Sequence, residues 1–161
     1  MNKKRERGFS LIELLIVIAI IGIIAAIAVP RLLVAQQAAH ELAAFNEVQK
    51  ISEAQILYSL SHKGKYSDLA TLASSSYIDQ TLGSGKKSGY AFTSTPVDVE
   101  GLHSMFDTTG KPTSVGTFGT GNKSYYSNEA LGKIVYEADG GEPPSATPQD
   151  RIPKNGTEKA Q

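Results

Sequence analysis

Glu13 is the one charged residue in an apolar run that extends from position 9 to position 29. A carboxylate costs about 2.5–3.5 kcal/mol at the centre of a membrane-spanning helix, and less near the end of the helix. A group with this cost is expected to have a partner of opposite charge. Glu13 is therefore the first candidate for chemistry in this sequence, and that chemistry is ion pairing rather than catalysis.

Two glycine-rich runs resemble phosphate-binding loops but lack the required spacing. In residues 83–89, Gln80 stands where the first glycine is needed, and Lys87 stands where Ser or Thr is needed. In residues 116–124, Asn122 is an extra residue before the lysine. Both runs are interpreted as turns.

The remaining residue types that carry catalysis or bind metals show no organised pattern. No Ser/His/Asp set or pair of carboxylates is visible at a catalytic spacing. The chain has no cysteine, which excludes thiol catalysis, thiolate metal sites and disulfides. The histidines are dispersed and lack the spacing of metal ligands: His40, His62 and His103. The sequence therefore predicts that the protein is not an enzyme and gives no cofactor.

The 161 residues carry no net charge, but the charge is unevenly distributed. Four basic residues and Glu6 give the first eight residues +3, which leaves −3 on residues 9–161. A basic head before an apolar run marks the end that stays in the cytoplasm. A weakly acidic remainder argues against a nucleic-acid surface, which needs clustered Lys and Arg.

Three interpretations of the N-terminus compete. A secretory signal peptide has a cleavage site available at Ala26-Ile27-Ala28, but the apolar run is long for this role and Glu13 lies at its head. A plain single-pass anchor explains residues 9–30, which form about 33 Å of helix, yet it gives Glu13 no purpose.

The third interpretation rests on the run Gly8-Phe9-Ser10-Leu11-Ile12-Glu13 and the apolar residues that follow it to Pro30. This segment resembles the N-terminus of type IV pilins and type II secretion pseudopilins. The resemblance implies a leader at residues 1–8, cleavage after Gly8 by a prepilin peptidase, and N-methylation of Phe9. It also implies that Glu13 pairs with the N-terminal amine of a neighbouring subunit, and so sets the registry of a filament.

Gly22 and Pro30 are predicted weak points of this helix. Proline lacks an N–H and clashes with the carbonyl four residues back, so a kink is expected near Ala26. Glycine costs up to about 1 kcal/mol relative to alanine. By resemblance, the stretch between them is able to unwind when subunits pack in a filament.

Beyond Pro30 the pattern predicts an α+β pilin fold in three parts. Residues 31–64 form an amphipathic half of the long helix, with Lys63-Gly64 as its end and an apolar stripe of Leu42, Phe45, Val48, Ile51, Ala54 and Tyr58. Residues 65–137 hold a short helix capped by Ser67 and a small antiparallel sheet. Residues 138–161, rich in Pro and Gly, are predicted to be a disordered tail.

Four strands are expected in the sheet. The first contains Tyr90 and Phe92 and ends at Pro96, and the second spans residues 102–106 with a turn at residues 107–110. The third spans residues 124–127 and the fourth residues 133–137. The lower half of the long helix is the expected cover for the apolar face of this sheet.

The sequence thus predicts a structural subunit of a type IV pilus-like filament, a homo-polymer with other pilin-like subunits. The precursor is expected in the bacterial inner membrane, with its N-terminus in the cytoplasm, and the product in a periplasmic or cell-surface filament built by pilus or secretion machinery. The alternatives are a type II secretion pseudopilin and a membrane-anchored periplasmic binding protein or enzyme. Pseudopilins often bind calcium, and six residues offer oxygen ligands without selecting a site: Asp98, Glu100, Asp107, Asn128, Glu129 and Asp139.

Overall fold

The longest element is a helix, α1, at Leu11–Ser61. A computed structural model describes residues 9–97, 104–131, 135–139, 142–144 and 157–159. Two short helices follow α1: α2 at Leu69–Ser74 and α3 at Gln80–Gly83. The strands are β1 (Lys86–Lys87), β2 (Tyr90–Val97), β3 (Met105–Pro112), β4 (Lys123–Asn128), β5 (Val135–Asp139) and β6 (Thr157–Lys159). They form one sheet in sequential order with every neighbouring pair antiparallel, which confirms the predicted α+β fold.

The chain divides into two compact units, one ending at Ala35 and one beginning at Gln36. In the second unit the helix is amphipathic because apolar residues recur three or four positions apart. Four residues of the predicted stripe are buried in the core, namely Phe45, Val48, Ile51 and Ala54. Tyr58 is partly buried against that core. Leu42 was predicted to share this face, but it is 61% exposed.

Helix α1 ends at Ser61, two residues before the predicted end at Lys63-Gly64. Lys63 and Gly64 both have positive φ, and the Gly64 N–H donates to the Ser59 carbonyl at 2.9 Å. Helices commonly end in this way, with a left-handed residue after the last turn and a hydrogen bond from the next N–H to the carbonyl five positions earlier. The cap of α2 was predicted wrongly: Asp68, not Ser67, accepts the Thr71 N–H, at 2.8 Å.

Two strand boundaries differ from the prediction. β2 continues through Pro96, which pairs with Phe106. β1 pairs with β2 only at Tyr90 and Ala91, so in the described sheet the other end of β2 is an edge, where a missing N–H is tolerated.

The predicted turn at residues 107–110 is also wrong, because these residues lie inside β3. Residues 102 and 103 of the predicted second strand lie outside the described residues. A Cβ at Gly110 would lie 2.9 Å from Val48 Cγ2 and 3.0 Å from Phe92 Cε1. Glycine therefore allows close packing of the helix on the sheet here, and does not mark a turn.

Three elements were not predicted: α3, β1 and β6. β6 lies within the predicted tail and pairs with β5, with Tyr136 opposite Glu158. Of the other residues in that segment, 138 and 139 belong to β5 and 142–144 are described; the rest lie outside the described residues.

Gln55 is a fully buried polar residue at the centre of the second unit. Its side-chain oxygen accepts the Ser67 N–H at 3.0 Å, and its Nε2 donates to the Ser67 carbonyl and to Ser94 Oγ, the latter at 2.7 Å. Ser94 Oγ in turn lies 3.1 Å from Thr108 Oγ1. One amide therefore connects α1, the segment before α2, β2 and β3.

Lys87 connects β1 to two helical elements through ion pairs. Its Nζ lies 3.1 Å from Glu47 Oε1 on α1 and 2.8 Å from Asp79 Oδ2. Asp79 also caps α3, because its Oδ1 accepts the Leu82 N–H at 2.9 Å. The hydrogen bond from Lys87 and the cap together lower the pKa of the Asp79 carboxyl below its usual 3.8.

Replacing Gln55 by Leu is expected to lower the free energy of unfolding of the second unit by at least about 2 kcal/mol. The substitution leaves the Ser67 N–H and carbonyl buried without their partner, and each such group costs about 1–3 kcal/mol. Urea denaturation of the detergent-solubilised chain, followed by circular dichroism, measures the loss. Gln36→Leu makes the same change at an exposed position of α1 and is expected to have little effect; equal effects of the two variants would contradict this role for Gln55.

Asp79→Asn is expected to remove an acid-sensitive part of the stability. A carboxyl with a depressed folded pKa stabilises the fold above its unfolded pKa, and this contribution is lost as pH falls through the folded value. The effect is expected below about 1 kcal/mol, because the pair is half exposed. Thermal melts between pH 7 and about pH 2 measure it.

Asp68→Asn is the matched control for this measurement. Asp68 also caps a helix and also has a lowered pKa, caused by its hydrogen bonds with Thr71. It has no ion pair among the described residues. Added salt should therefore weaken the contribution of Asp79 more than that of Asp68, and an equal response to salt would contradict the ion-pair account.

Candidate functional site

The predicted site residues that the structure describes lie in the first unit, where every residue from position 9 to position 32 is exposed. Helix α1 begins at Leu11, so Phe9 and Ser10 precede it, and the Phe9 side chain is 84% exposed. Glu13 lies in the first turn of the helix. Gly8 lies outside the described residues.

The apolar side chains of this unit form a continuous surface that the chain itself does not cover. Their exposed fractions range from 45% at Val17 to 80% at Leu11. They are Leu11, Ile12, Leu14, Leu15, Ile16, Val17, Ile18, Ile20, Ile21, Ile23, Ile24, Ile27, Val29, Leu32 and Val34. In length and composition α1 can cross a membrane, and none of its most apolar stretch is buried. A soluble core helix is therefore excluded for these residues, since such a helix is mostly buried.

Glu13 caps its own helix. Its Oε2 accepts the Ser10 N–H at 2.8 Å, while the Glu13 and Leu14 N–H groups donate to the Ser10 carbonyl at 3.1 and 3.3 Å. A Glu three residues after a Ser is one half of a capping box, in which the carboxylate satisfies a backbone donor that the helix leaves free. The carboxylate is also favoured by the positive end of the helix dipole.

The capping role was missed in the sequence, although the signal was present as Ser10-Leu11-Ile12-Glu13. The expectation that Glu13 has no use without a neighbouring subunit is corrected by this bond. The bond engages Oε2, and a carboxylate has sites for about four hydrogen bonds. Local capping and a charge partner from another chain are therefore compatible.

Gly22 and Pro30 both lie inside α1, which is helical at every residue from Leu11 to Ser61. A Cβ built at Gly22 would meet nothing within 4 Å. No contact inside the chain therefore requires glycine here. The kink at Pro30 and the unwinding between the two residues stay predictions about the assembled protein.

The suggested calcium ligands are not brought together as a recognisable site. Within the described part of the chain, no group of three or more His, Cys, Asp or Glu is placed to hold a metal ion. Asp98 and Glu100 lie outside the described residues. Asp107 accepts a hydrogen bond from the Tyr126 hydroxyl, and Glu129 accepts one from the Phe106 N–H at 3.1 Å. Both of these carboxylates therefore have hydrogen-bond partners. Of the histidines, His103 lies outside the described residues.

The sequence was compared with known protein families. Residues 3–29 match the prokaryotic N-terminal methylation motif. This range contains Gly8, Phe9, Glu13 and Gly22, and it ends one residue before Pro30.

The curated relatives include two type IV pilus proteins and one type II secretion system protein. The chain is 46% identical over 66 residues to the type IV major pilin protein PilA of Myxococcus xanthus, a match that covers 41% of this chain and 30% of the relative. It is 38% identical over 71 residues to the type IV wide pilus major component PilA4 of Thermus thermophilus, which covers 44% of this chain and 54% of the relative. It is 35% identical over 60 residues to the type II secretion system core protein G of Aeromonas hydrophila, which covers 37% of this chain and 42% of the relative.

The matches thus span about a third to a half of the length of these relatives. No solved structure gives a significant match. The methylation motif, the exposed apolar helix that carries it and the curated relatives agree: in its N-terminal part the chain is similar to type IV pilins and to a type II secretion system protein.

Proposed function

We propose that this chain is the precursor of a structural subunit of a type IV pilus-like filament, processed by a prepilin peptidase and polymerised through its N-terminal helix. One observation carries the proposal: the first unit exposes large apolar side chains along α1 from Leu11 to Val34 and has one carboxylate, Glu13, in the first turn. Lipid covers this surface in the precursor, and the helices of other subunits cover it in the filament. The role is structural, without catalysis and without a cofactor.

Cleavage after Gly8 creates the charge that Glu13 needs. The new amine at Phe9 lies before the helix begins and is cationic, and N-methylation keeps it so. Phe9 and Ser10 are not helical, so the cut does not require α1 to unwind. The leader at residues 1–8 carries four basic residues, which hold the N-terminus on the cytoplasmic side of the inner membrane until the peptidase acts.

The amine of one subunit and Glu13 of the next then fix how far neighbouring helices are shifted. Apolar helices exchange lipid for each other without a strong preference for one register, since lipid tails are as apolar as leucine. A buried ion pair contributes more to register than to net stability. Repeated head-to-tail contacts that do not close produce a filament. Gly22 and Pro30 supply the place where the helix adapts as subunits pack.

A type II secretion pseudopilin is the second candidate, and the similarity to core protein G of Aeromonas hydrophila favours it. The same helix chemistry applies, but the filament is short, periplasmic and drives protein export. Deletion of the gene separates the two: loss of surface fibres supports the pilus, and loss of secreted proteins with fibres intact supports the pseudopilus. Calcium-dependent stability of the second unit would add support to the pseudopilus.

The mature protein is expected to begin at N-methylated Phe9. Mass spectrometry of the membrane and sheared-fibre fractions measures this directly. Gly8→Val is expected to leave uncleaved precursor in the membrane, because a branched side chain replaces the small residue before the cut. A mature chain beginning at Val29 would indicate signal peptidase instead, and an intact Met1 a plain anchor; either result would overturn the proposal.

Glu13→Gln and Glu13→Leu separate the two roles of the carboxylate. The amide of Gln still accepts the Ser10 N–H and preserves the helix cap, whereas Leu removes both cap and charge. Both variants are expected to insert and to be cleaved normally, and both to lose filaments, since each 1.4 kcal/mol lost per subunit contact lowers the association constant about tenfold. Sheared-fibre yield at equal membrane content is the measurement. Normal fibres from Glu13→Gln would show that the cap, not the charge, is what assembly needs.

A further inference from the structure

The loop between β3 and β4, residues 113–122, presents two large apolar side chains to solvent. Val115 is 51% exposed and Phe118 is 85% exposed. None of the ten residues is charged. We call Val115 and Phe118 together the loop tip. Neither residue belongs to the core of the second unit, so packing in that core does not account for an apolar side chain at either position.

The loop is held in one conformation by its own hydrogen bonds. The Thr120 N–H donates to the Ser114 carbonyl and the Gly119 N–H to the Gly116 carbonyl, both at 2.9 Å. The Gly116 N–H donates to Asn122 Oδ1 at 3.0 Å. A Cβ at Gly119 would lie 2.5 Å from the Ser114 carbonyl oxygen, so this tight closure requires glycine. An ordered loop therefore presents the loop tip. The conformational entropy of the loop is lost on folding and need not be lost again on docking.

Three bonds fix the loop to the start of the second unit. Gln37 Nε2 donates to the carbonyls of Gly116 and Gly119, at 2.6 and 3.0 Å. The Asn122 N–H donates to Glu41 Oε1 at 2.8 Å. Since Gln37 is the second residue of this unit, the loop lies at the end where the unit is joined to the apolar segment.

Chain connectivity limits how far the loop can be from that segment. The apolar segment is the part of α1 from Leu11 to Val34, whose large apolar side chains are exposed. Gln37 lies three positions after Val34. Three residues span at most about 11 Å in any conformation. The anchor of the loop therefore stays within about 11 Å of the apolar segment, whatever the orientation of the two units.

We propose that the loop tip docks into the phospholipid surface of the membrane leaflet from which the second unit emerges. This inference rests on the proposed membrane insertion of the helix, and adds a second membrane contact. Apolar side chains of surface-bound segments lie about 5–10 Å into the boundary between headgroups and acyl chains. The uncharged loop brings no charge into that layer, and exposed Lys111 beside it favours anionic headgroups. Chain connectivity keeps the anchor of the loop close to the apolar segment proposed to lie in the membrane, and it sets no such limit for a second protein, so lipid is the favoured occupant.

A tryptophan scan of the full chain tests this proposal, because the natural sequence has no tryptophan. Phe118→Trp is reconstituted in vesicles of phosphatidylethanolamine and phosphatidylglycerol that contain lipids with a nitroxide near the headgroup or near the acyl terminus. We expect a blue-shifted emission and a loss of intensity that is larger with the shallow nitroxide. At so exposed a position the substitution leaves the fold unchanged.

Two further variants make each outcome decisive. Leu60→Trp, at a 78% exposed position near the other end of α1, should keep the emission of an indole in water and escape quenching. Ile20→Trp reports insertion of the helix itself. An unquenched indole at position 118 with a quenched one at position 20 overturns the docking proposal alone, whereas an unquenched indole at position 20 overturns membrane insertion. A blue shift at position 118 that grows with the protein-to-lipid ratio, without nitroxide quenching, would assign the loop tip to a second copy of the chain and overturn lipid docking.

Discussion

The structure depends on an apolar helix surface that its own chain does not cover. Sixteen large apolar side chains of the first unit are exposed, Phe9 included, and burying one such side chain contributes about 1.5–3 kcal/mol. The sum is tens of kcal/mol, several times the stability of a typical domain. These residues must therefore be covered by lipid or by other helices throughout the life of the protein. In the proposed function, membrane insertion and polymerisation are successive ways to meet that one requirement.

The transfer from lipid to filament shifts the decisive interactions from apolar to polar ones. Both environments cover the apolar side chains, so the hydrophobic effect distinguishes poorly between them. Glu13 is different, because its carboxylate is costly in lipid and useful wherever a cation is available. The bond from the Ser10 N–H reduces this cost in the single chain. The same bond fixes the carboxylate at the start of the helix, where the amine of a neighbouring chain would meet it.

The parts of the fold that sequence predicted are those with local signals. The apolar run, Glu13 and the glycine after α1 each depend on a few consecutive residues, and all could be placed. The errors in the sheet came where a distant contact decides the conformation, whereas the cap of α2 and the capping role of Glu13 were missed although both depend on neighbouring residues. Gly110 looked like a turn because its reason, the approach of Val48, lies 62 positions away in the chain. Pro96 looked like a strand end because the sequence does not show which edge of β2 lacks a neighbour.

Gln55 shows the same limit for polar residues. It lies four residues after Ile51 and three before Tyr58, so helical spacing places it on the buried face of α1, but nothing local identifies its hydrogen-bond partners. Its role depends on Ser67 and Ser94, which only folding brings close. In a chain without cysteine, such an amide connects three segments that a disulfide would otherwise hold together. A buried amide with satisfied partners also penalises any other arrangement, since each partner would then be left without its hydrogen bond.

The two units contribute to the proposed function in different ways. The methylation motif lies at residues 3–29, wholly within the first unit, and it concerns processing and polymerisation. Pili and secretion filaments share that chemistry, so the first unit cannot distinguish them. The difference must lie on the surface of the second unit, whose sheet and loops are set by contacts such as those of Gln55 and Gly110. The loop at residues 113–122 belongs to that surface, and its internal hydrogen bonds, lack of charge and exposed phenylalanine are the features on which the proposed membrane contact rests.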